Sequence, residues 1–306
     1  MQIGLFGLGR MGANMARRLA RGGAAVAVWN RSMQVADQLA ADQPGITAFA
    51  DIRQLVEHLA FPRVVWLMLP AGEATTSVMA TLQDLLSPGD VVVDGANAWF
   101  KDSQSHAAGF AGKGISFVDA GVSGGVWGLQ NGYALMLGGD EAAVARVAPF
   151  ARILAPGPDT GWLHCGPVGS GHYVKMVHNG IEYGMMQALA EGLALMRSRT
   201  EFELDLAGIA EMWRHGSVVR SWLLDLTAEF LKSDQQLDDI KPVVADSGEG
   251  RWTVLESVEQ GVPTPVMTLS LMMRFASQGH NEYTDKLLAM MRKGFGGHAV
   301  QEGGHE

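Results

Sequence analysis

The chain has 306 residues, of which 47% are hydrophobic and 18% are charged, and its formal net charge is -9. This length and composition predict a globular protein of one large domain or two ordinary ones, and they exclude a disordered chain. The negative charge argues against nucleic acid as a partner and against an anionic membrane surface. Cys165 is the single cysteine, which excludes an intrachain disulfide and fits a reducing compartment.

The sequence also indicates where the protein resides. It starts with a strand-like apolar run at residues 2–6 and shows no basic leader or cleavage site. The longest apolar run, residues 64–70, is far too short to cross a bilayer. We therefore expect a cytoplasmic protein with no membrane partner.

The first half of the sequence alternates short apolar runs with helical patterns. Strands are predicted at residues 2–6, 25–29, 64–69, 91–94, 116–120 and 133–137. Several of these runs are continuously apolar, which is typical of strands that helices cover on both faces. Amphipathic stretches such as residues 12–21 and 34–41 lie between them. The pattern predicts an α/β Rossmann domain with a doubly wound, mostly parallel sheet.

The second half changes to helical patterns after a cluster of glycines around Pro167. Helices are predicted at residues 169–198, 204–215, 217–231, 252–261, 264–278 and 284–295. We predict a dinucleotide-binding Rossmann domain at residues 1–166. An all-α domain for substrate binding and dimerisation is predicted at residues 167–306.

A glycine-rich motif follows the first predicted strand and opens the first helix. It reads Gly7, Leu8, Gly9, Arg10, Met11 and Gly12, which fits the pattern G-x-G-x-x-G. The first glycine allows a tight turn, the second lets a pyrophosphate approach the backbone, and the third permits close helix packing. With a strand before it and a helix and second strand after it, the motif predicts a dinucleotide site. The alternative is a glycine turn that packs a helix on a sheet without a ligand.

The end of the second strand indicates which dinucleotide binds. Enzymes that use NAD commonly carry an acid there, whereas this chain has Asn30, Arg31 and Ser32. A guanidinium group suits a 2′-phosphate, so we expect NADP, with NAD as the other possibility. Leu69, Pro70 and Asn97 follow two later strands, where the nicotinamide half of the cofactor would lie.

The long predicted helix carries four polar residues on one face. Lys175, His178, Asn179 and Glu182 are spaced i, i+3, i+4 and i+7. Apolar residues fill the other positions, so we expect a central helix whose polar face lines a cleft. Burial there would shift the pKa values of the lysine and the glutamate toward those useful for proton transfer. The alternative is an ordinary charged stripe.

A loop of one serine and two glycines follows the strand predicted at residues 116–120. Its residues are Ser123, Gly124 and Gly125. Such a loop can bring backbone amides and a hydroxyl against a substrate, although an isolated Ser-Gly-Gly is more often a tight turn. No histidine elsewhere has the spacing of a metal ligand, so no metal is expected.

Three segments together resemble the signature segments of decarboxylating 6-phosphogluconate dehydrogenases, in order and in spacing, over nearly the whole chain. They are Ser123-Gly124-Gly125, residues 175–184 (Lys-Met-Val-His-Asn-Gly-Ile-Glu-Tyr-Gly) and residues 292–298 (Arg-Lys-Gly-Phe-Gly-Gly-His). The second segment is highly specific, because related β-hydroxyacid dehydrogenases normally lack its glutamate and tyrosine.

The resemblance implies roles for individual residues. It makes Lys175 the general base and Glu182 the acid that protonates the product, in an oxidative decarboxylation of 6-phosphogluconate. Asn179 counts as a catalytic residue beside Lys175 and Glu182, and it would hold the carboxylate and hydroxyl groups of the substrate together with His178 and the Ser123-Gly124-Gly125 loop. The phosphate end, by the same resemblance, would contact Tyr183, Arg274, Arg292 and His298, the last two from a second subunit.

Two departures from the family pattern stand out. The chain resembles the short form of the family, so two subunits would jointly supply what one long chain contains, in a homodimer or homotetramer. Short members also often prefer NAD. Where the long form carries a phosphate-binding Lys-Gly-Thr-Gly-Lys-Trp loop, residues 246–252 read Asp-Ser-Gly-Glu-Gly-Arg-Trp.

Two other functions remain as alternatives. One is a β-hydroxyacid dehydrogenase or imine reductase that acts on a small unphosphorylated substrate. The other is a nucleotide-binding regulatory protein without catalytic activity. Glu182 and Tyr183 argue against the first, and the pairing of Lys175 with Glu182 argues against the second.

Overall fold

The computed structural model of the chain describes residues 1–296, 299 and 301. Its strands are β1 (Gln2–Phe6), β2 (Ala25–Trp29), β3 (Ile46–Phe49), β4 (Val64–Leu67), β5 (Val91–Asp94), β6 (Ser116–Ser123), β7 (Ala134–Gly139) and β8 (Trp162–Gly166). Helices among the strands are α1 (Arg10–Arg21), α2 (Met33–Asp42), α3 (Ile52–His58), α4 (Glu73–Leu85), α5 (Phe100–Ala111), α6 (Gly128–Asn131) and α7 (Glu141–Leu154).

The strands form one 8-stranded sheet in the order β3-β2-β1-β4-β5-β6-β7-β8. All neighbouring strands are parallel except β6 and β7, which are antiparallel. This arrangement confirms the predicted Rossmann sheet, doubly wound and mostly parallel. The strand order reverses between β1 and β4, and in such sheets a ligand binds at the carboxyl ends of the strands beside that point.

Apolar side chains cover both faces of the sheet. Ile3 and Leu5 of β1 belong to one apolar cluster, whereas Phe6 belongs to a cluster on the other face. Trp66 and Leu67 of β4 divide between the two clusters in the same way. Successive side chains of a strand point to opposite faces, so continuous apolar runs are required where both faces are buried. Burying each large side chain fully stabilises the fold by about 1.5–3 kcal/mol.

The rest of the chain is helical in its described part. The helices are α8 (Ser170–Ser198), α9 (Leu206–Trp213), α10 (Trp222–Ser233), α11 (Glu249–Gln260), α12 (Pro265–Ser277) and α13 (Glu282–Gly296). Helices α9 and α10 share a small core that includes Leu206, Leu224 and Leu231. The predicted all-α character of this region is confirmed.

The chain divides into two compact units, Met1–Met176 and Val177–Glu306. Helix α8 runs through the point of division, so this division does not test the domain boundary after residue 166, which stays a prediction. The expectation that α8 is buried on most sides is wrong for the single chain. Ile181 is 52% exposed and Leu195 is 73% exposed, because nothing in the described chain covers those side chains.

Candidate active site

The turn between β1 and α1 requires glycine at two of its positions. Gly7 has a φ of +92°, and its amide donates a hydrogen bond to the carbonyl oxygen of Trp29 at 2.9 Å. A Cβ atom on Gly12 would lie 2.1 Å from the carbonyl oxygen of Gly7, so α1 can start this close to β1 only with glycine there. The first turn of α1 therefore lies directly against the end of β1.

Gly9, in contrast, faces open space. A Cβ atom added to it would meet no heavy atom within 4 Å, and no side chain caps the start of α1. The free amides at this helix start carry partial positive charge and suit an anion such as a pyrophosphate. The other predicted cofactor residues here are Leu8, which is buried, Arg10, which is exposed, and Met11, which is half-buried. The residues present therefore fit the pyrophosphate of a dinucleotide.

The side chain of Asn30 stabilises the glycine-rich turn. Its Oδ1 atom accepts a hydrogen bond from the amide of Leu8 at 3.0 Å, and its Nδ2 atom donates to the carbonyl of Ser32 at 3.1 Å. Arg31 is exposed and makes no ion pair with any described residue. Asn30 thus holds the turn, while Arg31 is available to a ligand.

The remaining predicted cofactor residues lie at the same edge of the sheet. Because β2, β1, β4 and β5 are adjacent and parallel, their carboxyl ends meet at one edge. Pro70 follows β4, and its carbonyl oxygen accepts a hydrogen bond from the hydroxyl of Thr75 at 2.8 Å. Leu69 is half-buried beside it, and Asn97 follows β5 and is exposed. The geometry brings these residues to the edge that carries the glycine-rich turn.

The Gly9→Ala substitution is expected to weaken cofactor binding about 10- to 100-fold without lowering stability, since a methyl group there meets only the space in front of the helix amides. Titration calorimetry with NADP and NAD measures the dissociation constants, and thermal unfolding measures the stability. Gly192→Ala is the matched control, because a Cβ atom there also meets nothing within 4 Å. Unchanged affinity in Gly9→Ala would place the cofactor phosphates elsewhere.

Strand β6 carries the predicted substrate loop and lies against α8. Gly124 and Gly125 have φ values of +133° and +52°, which favour glycine, and Gly125 is exposed. A Cβ atom on Gly121 would lie 2.5 Å from the Cβ atom of Lys175. Gly121 and Ser123 are alternate residues of β6 and share a face. Ser123 is therefore the next residue on the face of β6 whose Gly121 contacts Lys175.

The next turns of α8 carry the other three polar residues. His178 Nδ1 lies 3.1 Å from Asn179 Oδ1 and 3.9 Å from Glu182 Oε2. Asn179 is buried at 9% exposure, whereas the side chains of His178 and Glu182 are each 39% exposed. The imidazole thus lies between an amide and a carboxylate, and the carboxylate of Glu182 stays partly exposed.

Two predicted phosphate-binding residues contact each other in the second unit. The guanidinium carbon of Arg274 lies 3.4 Å from the ring centroid of Tyr183, and its Nη1 donates to the carbonyl of Ala245 at 2.7 Å. The hydroxyl of Tyr183 lies 3.1 Å from Ser247 Oγ. Arg292 is exposed on α13. The fourth predicted residue, His298, lies outside the described residues.

The altered loop at residues 246–252 has an internal ion pair and a buried acid. Arg251 binds Asp246, and its guanidinium group lies over the ring of Phe275. Glu249, the first residue of α11, is 3% exposed, and its Oε2 has no hydrogen-bond partner within the described residues. The ion pair occupies Arg251, whereas Ser247 and Gly250 of the loop both lie against Tyr183, a predicted phosphate contact.

A buried polar group of three residues was not predicted from the sequence. Asp119 of β6 accepts hydrogen bonds from the amides of Gly169 at 2.6 Å and His172 at 2.8 Å. His172 Nδ1 lies 2.7 Å from Ser103 Oγ. Burial raises the pKa of Asp119, although the amides oppose this, and burial lowers the pKa of His172 to about 4. The signal in the sequence was an acid inside the apolar run at residues 116–120.

No group of three His, Cys, Asp or Glu residues in the described chain is placed to hold a metal ion. Likewise, none of the helices that the structure describes combines the length and apolar character needed to span a membrane.

Known proteins match both units. The pattern of the NAD binding domain of 6-phosphogluconate dehydrogenase matches residues 2–160, and that of the 6-phosphogluconate dehydrogenase C-terminal domain matches residues 171–301. An NAD-dependent decarboxylating 6-phosphogluconate dehydrogenase of Haloferax volcanii is 40% identical over 98% of this chain and 98% of its own length. The enzyme of that name from Bacillus subtilis is 36% identical, but 90% of this chain covers only 61% of it.

A solved structure agrees with these matches. The 6-phosphogluconate dehydrogenase of Plasmodium falciparum, studied without ligand, with NADP and with 6-phosphogluconate, superimposes with a TM-score of 0.84. The two sequences are 28% identical, and the match covers 100% of this chain and 67% of the other. With a cofactor edge, a Ser-Gly-Gly loop and a polar helix already described, these matches identify an oxidoreductase with an NAD-binding domain. The chain belongs to the 6-phosphogluconate dehydrogenase family.

Proposed function

We propose that this protein oxidises and decarboxylates 6-phosphogluconate to ribulose 5-phosphate and carbon dioxide while it reduces NADP or NAD. The observation that carries the proposal is the placement of Lys175 and Glu182 seven residues apart on one continuous helix, α8. Two turns of a helix separate them, so they lie on the same face about 10 Å apart along the axis. One base and one acid on one face suit a reaction that removes a proton and later returns one.

In this proposal Lys175 and Glu182 act at different stages. The amine of Lys175 would take the proton of the 3-hydroxyl group, and a nicotinamide bound at the cofactor edge would supply the acceptor for the hydride of carbon 3. The resulting ammonium group then donates a hydrogen bond to the new ketone oxygen, so that the electrons of the breaking carbon–carbon bond are stabilised as carbon dioxide leaves. Glu182 finally protonates carbon 1 of the enediol, which gives the ketose phosphate.

The remaining site residues would bind the substrate. Ser123 and the amides of the two glycines after it offer donors to the carboxylate, as do His178 and Asn179 to the hydroxyl groups. Tyr183 and Arg274 already contact each other and offer a hydroxyl group and a guanidinium group to the phosphate. Specificity for the phosphate would thus rest on residues outside the altered loop.

A turnover assay tests this function against both alternatives. We expect nicotinamide reduction with 6-phosphogluconate and release of one carbon dioxide per reduced cofactor. Turnover of an unphosphorylated hydroxy acid or an imine, with 6-phosphogluconate inert, would instead indicate a β-hydroxyacid dehydrogenase or imine reductase. Cofactor binding without turnover of any of these substrates would indicate a regulatory protein.

The Arg31→Ala substitution is expected to lower kcat/KM for NADP about 10- to 100-fold and to leave that for NAD within about 3-fold, because Arg31 is exposed at the end of β2 and suits a 2′-phosphate. Steady-state kinetics with each cofactor measures both values. Arg53→Ala, on α3, is the control for loss of a positive charge elsewhere in the first unit. Equal losses with both cofactors would show that Arg31 does not recognise the 2′-phosphate.

We also propose that the active unit is at least a homodimer in which Arg292 serves the partner's site. Lys175→Met and Arg292→Ala are each expected to be inactive alone. When equal amounts of the two variants are refolded together, half of the dimers are hybrids, and each hybrid has one intact site of its two. The mixture is therefore expected to regain about a quarter of wild-type activity. Activity after mixing measures this. No recovery, in dimers shown by mass spectrometry to be hybrid, would place Arg292 in the site of its own subunit.

A further inference from the structure

The start of α8 lies directly against the sheet at two glycines, Gly171 and Gly121. A Cβ atom added to Gly171 would come within 2.4 Å of the carbonyl oxygen of Met136 and 2.5 Å of that of Asp119. A Cβ atom added to Gly121 would come within 2.5 Å of Lys175 Cβ. Helix and strands therefore meet at backbone distance, which fixes how deeply the first two turns of α8 lie against β6 and β7.

Asp119 supplies hydrogen-bond acceptors that the start of this helix needs. The first amides of a helix have no partner within it, and a carboxylate there is favoured by the helix dipole. Asp119 lies on β6, 50 residues before Gly169. Its Oδ1 atom accepts a hydrogen bond from the amide of Gly169 at 2.6 Å, and its Oδ2 atom accepts one from the amide of His172 at 2.8 Å. The carboxylate is 0% exposed. Both of its oxygens are thus used to hold α8.

His172 adds a second constraint on the same turn. Its side chain is 2% exposed, and its Nδ1 lies 2.7 Å from the hydroxyl oxygen of Ser103 on α5. A buried imidazole with this hydrogen bond opposes rotation of α8 about its own axis. Lys175 follows His172 by three residues and therefore lies on a neighbouring part of the same surface.

We propose that Asp119 is a positioning residue for the reaction: by holding the two amides it sets the depth and rotation of the first turns of α8, and with them the place of the Lys175 amine. The inference rests on the proposed function, in which Lys175 is the general base. Displacing a catalytic group by about 1 Å can cost about 10²-fold in rate, so a cap on this helix can control turnover without touching the substrate.

The test compares Asp119→Asn with Asp90→Asn. Asp90 is also 0% exposed, and it also accepts two backbone amides, from Arg63 at 2.7 Å and Ser87 at 2.9 Å. Both variants lose one buried carboxylate, but Asp90 does not contact α8. At a temperature where both are folded, we expect kcat to fall about 10- to 100-fold in Asp119→Asn alone, with KM for substrate and cofactor within about 3-fold. Equal kcat losses in both variants, or none in Asp119→Asn, would overturn the proposal.

A second readout needs no substrate. Acylation of lysine amines, followed by peptide mass spectrometry, is expected to modify Lys175 at least about 3-fold faster in Asp119→Asn than in the wild type, because the start of the helix opens more often. Lys113, which pairs with Asp84, is the internal reference and should not change. If wild-type protein fails to oxidise 6-phosphogluconate, the proposed function is wrong. The acylation test does not depend on that result: an equal rate of Lys175 acylation in Asp119→Asn and wild type would overturn the role of Asp119.

Discussion

The Lys175→Met variant is expected to lose a factor of about 10³ to 10⁴ in kcat with 6-phosphogluconate. Methionine keeps the unbranched stem that lies against Gly121 but has no amine. It can neither take the proton of the hydroxyl group nor stabilise the ketone oxygen during loss of carbon dioxide. Initial rates of nicotinamide reduction measure the effect, and cofactor affinity should stay within about 3-fold.

Two further variants serve as a control and as a comparison for Lys175→Met. Lys113→Met removes an exposed lysine of the same unit and should retain wild-type kcat. Glu182→Gln should keep the first hydride transfer, so that a rapid burst of reduced nicotinamide precedes slow turnover. A burst of equal size in Lys175→Met would contradict the role of Lys175 as the base.

The pH dependence of stability is expected to change in opposite directions when Asp94 or His172 is replaced. Burial, aided by the charges of Asp119 and Asp102, raises the pKa of Asp94 from 3.8 to about 7. Between pH 4 and pH 7 the folded state holds a proton that the unfolded state has lost, so the contribution of Asp94 to the free energy of unfolding falls as the pH rises through this range. Burial lowers the pKa of His172 from 6.5 to about 4, so its contribution rises between pH 4 and pH 6.5.

The free energy of unfolding changes by at most about 4 kcal/mol through Asp94 and by at most about 3 kcal/mol through His172. In the wild type these opposite changes largely cancel. Relative to wild type, Asp94→Asn should therefore gain stability as the pH rises from 4 to 7. His172→Gln should lose stability from 4 to 6.5. Denaturant unfolding at several pH values, followed by tryptophan fluorescence, measures both differences. Parallel curves for Asp94→Asn and the wild type would mean that Asp94 is ionised in the folded protein.

Most of the sheet was predictable because buried parallel strands consist of continuous apolar residues. The two strands not predicted, β3 and β8, lie at the edges of the sheet. Their residues are mostly half-buried and do not form such runs: β8 reads Trp-Leu-His-Cys-Gly. The predicted strand at residues 64–69 ends at Leu67, because the chain there turns toward Pro70 at the cofactor edge. Periodicity thus identifies strands only where both faces are covered.

The candidate site was predictable only where a local pattern carries the chemistry. The glycine-rich turn and the polar face of α8 follow from spacing along the chain, whereas the contact of Gly121, two residues before Ser123, with Lys175 comes only from the structure. The hydrogen bonds of Asp119 and the contact between Arg274 and Tyr183 join residues far apart in sequence. Such pairs depend on tertiary packing, which single-sequence patterns do not contain. The roles of all these residues in catalysis stay predictions.

The hydrogen bond from the Leu8 amide to Asn30 bears on redesign of the cofactor preference. An aspartate at position 30 would keep an oxygen acceptor for that amide, but it would replace the donation to the Ser32 carbonyl with a contact between two oxygen atoms. The charge at the end of β2 can therefore be reversed without dismantling the turn that receives the pyrophosphate. An engineer who wants an enzyme that uses NAD could exchange Asn30 and Arg31 together, and leave every glycine of the turn untouched.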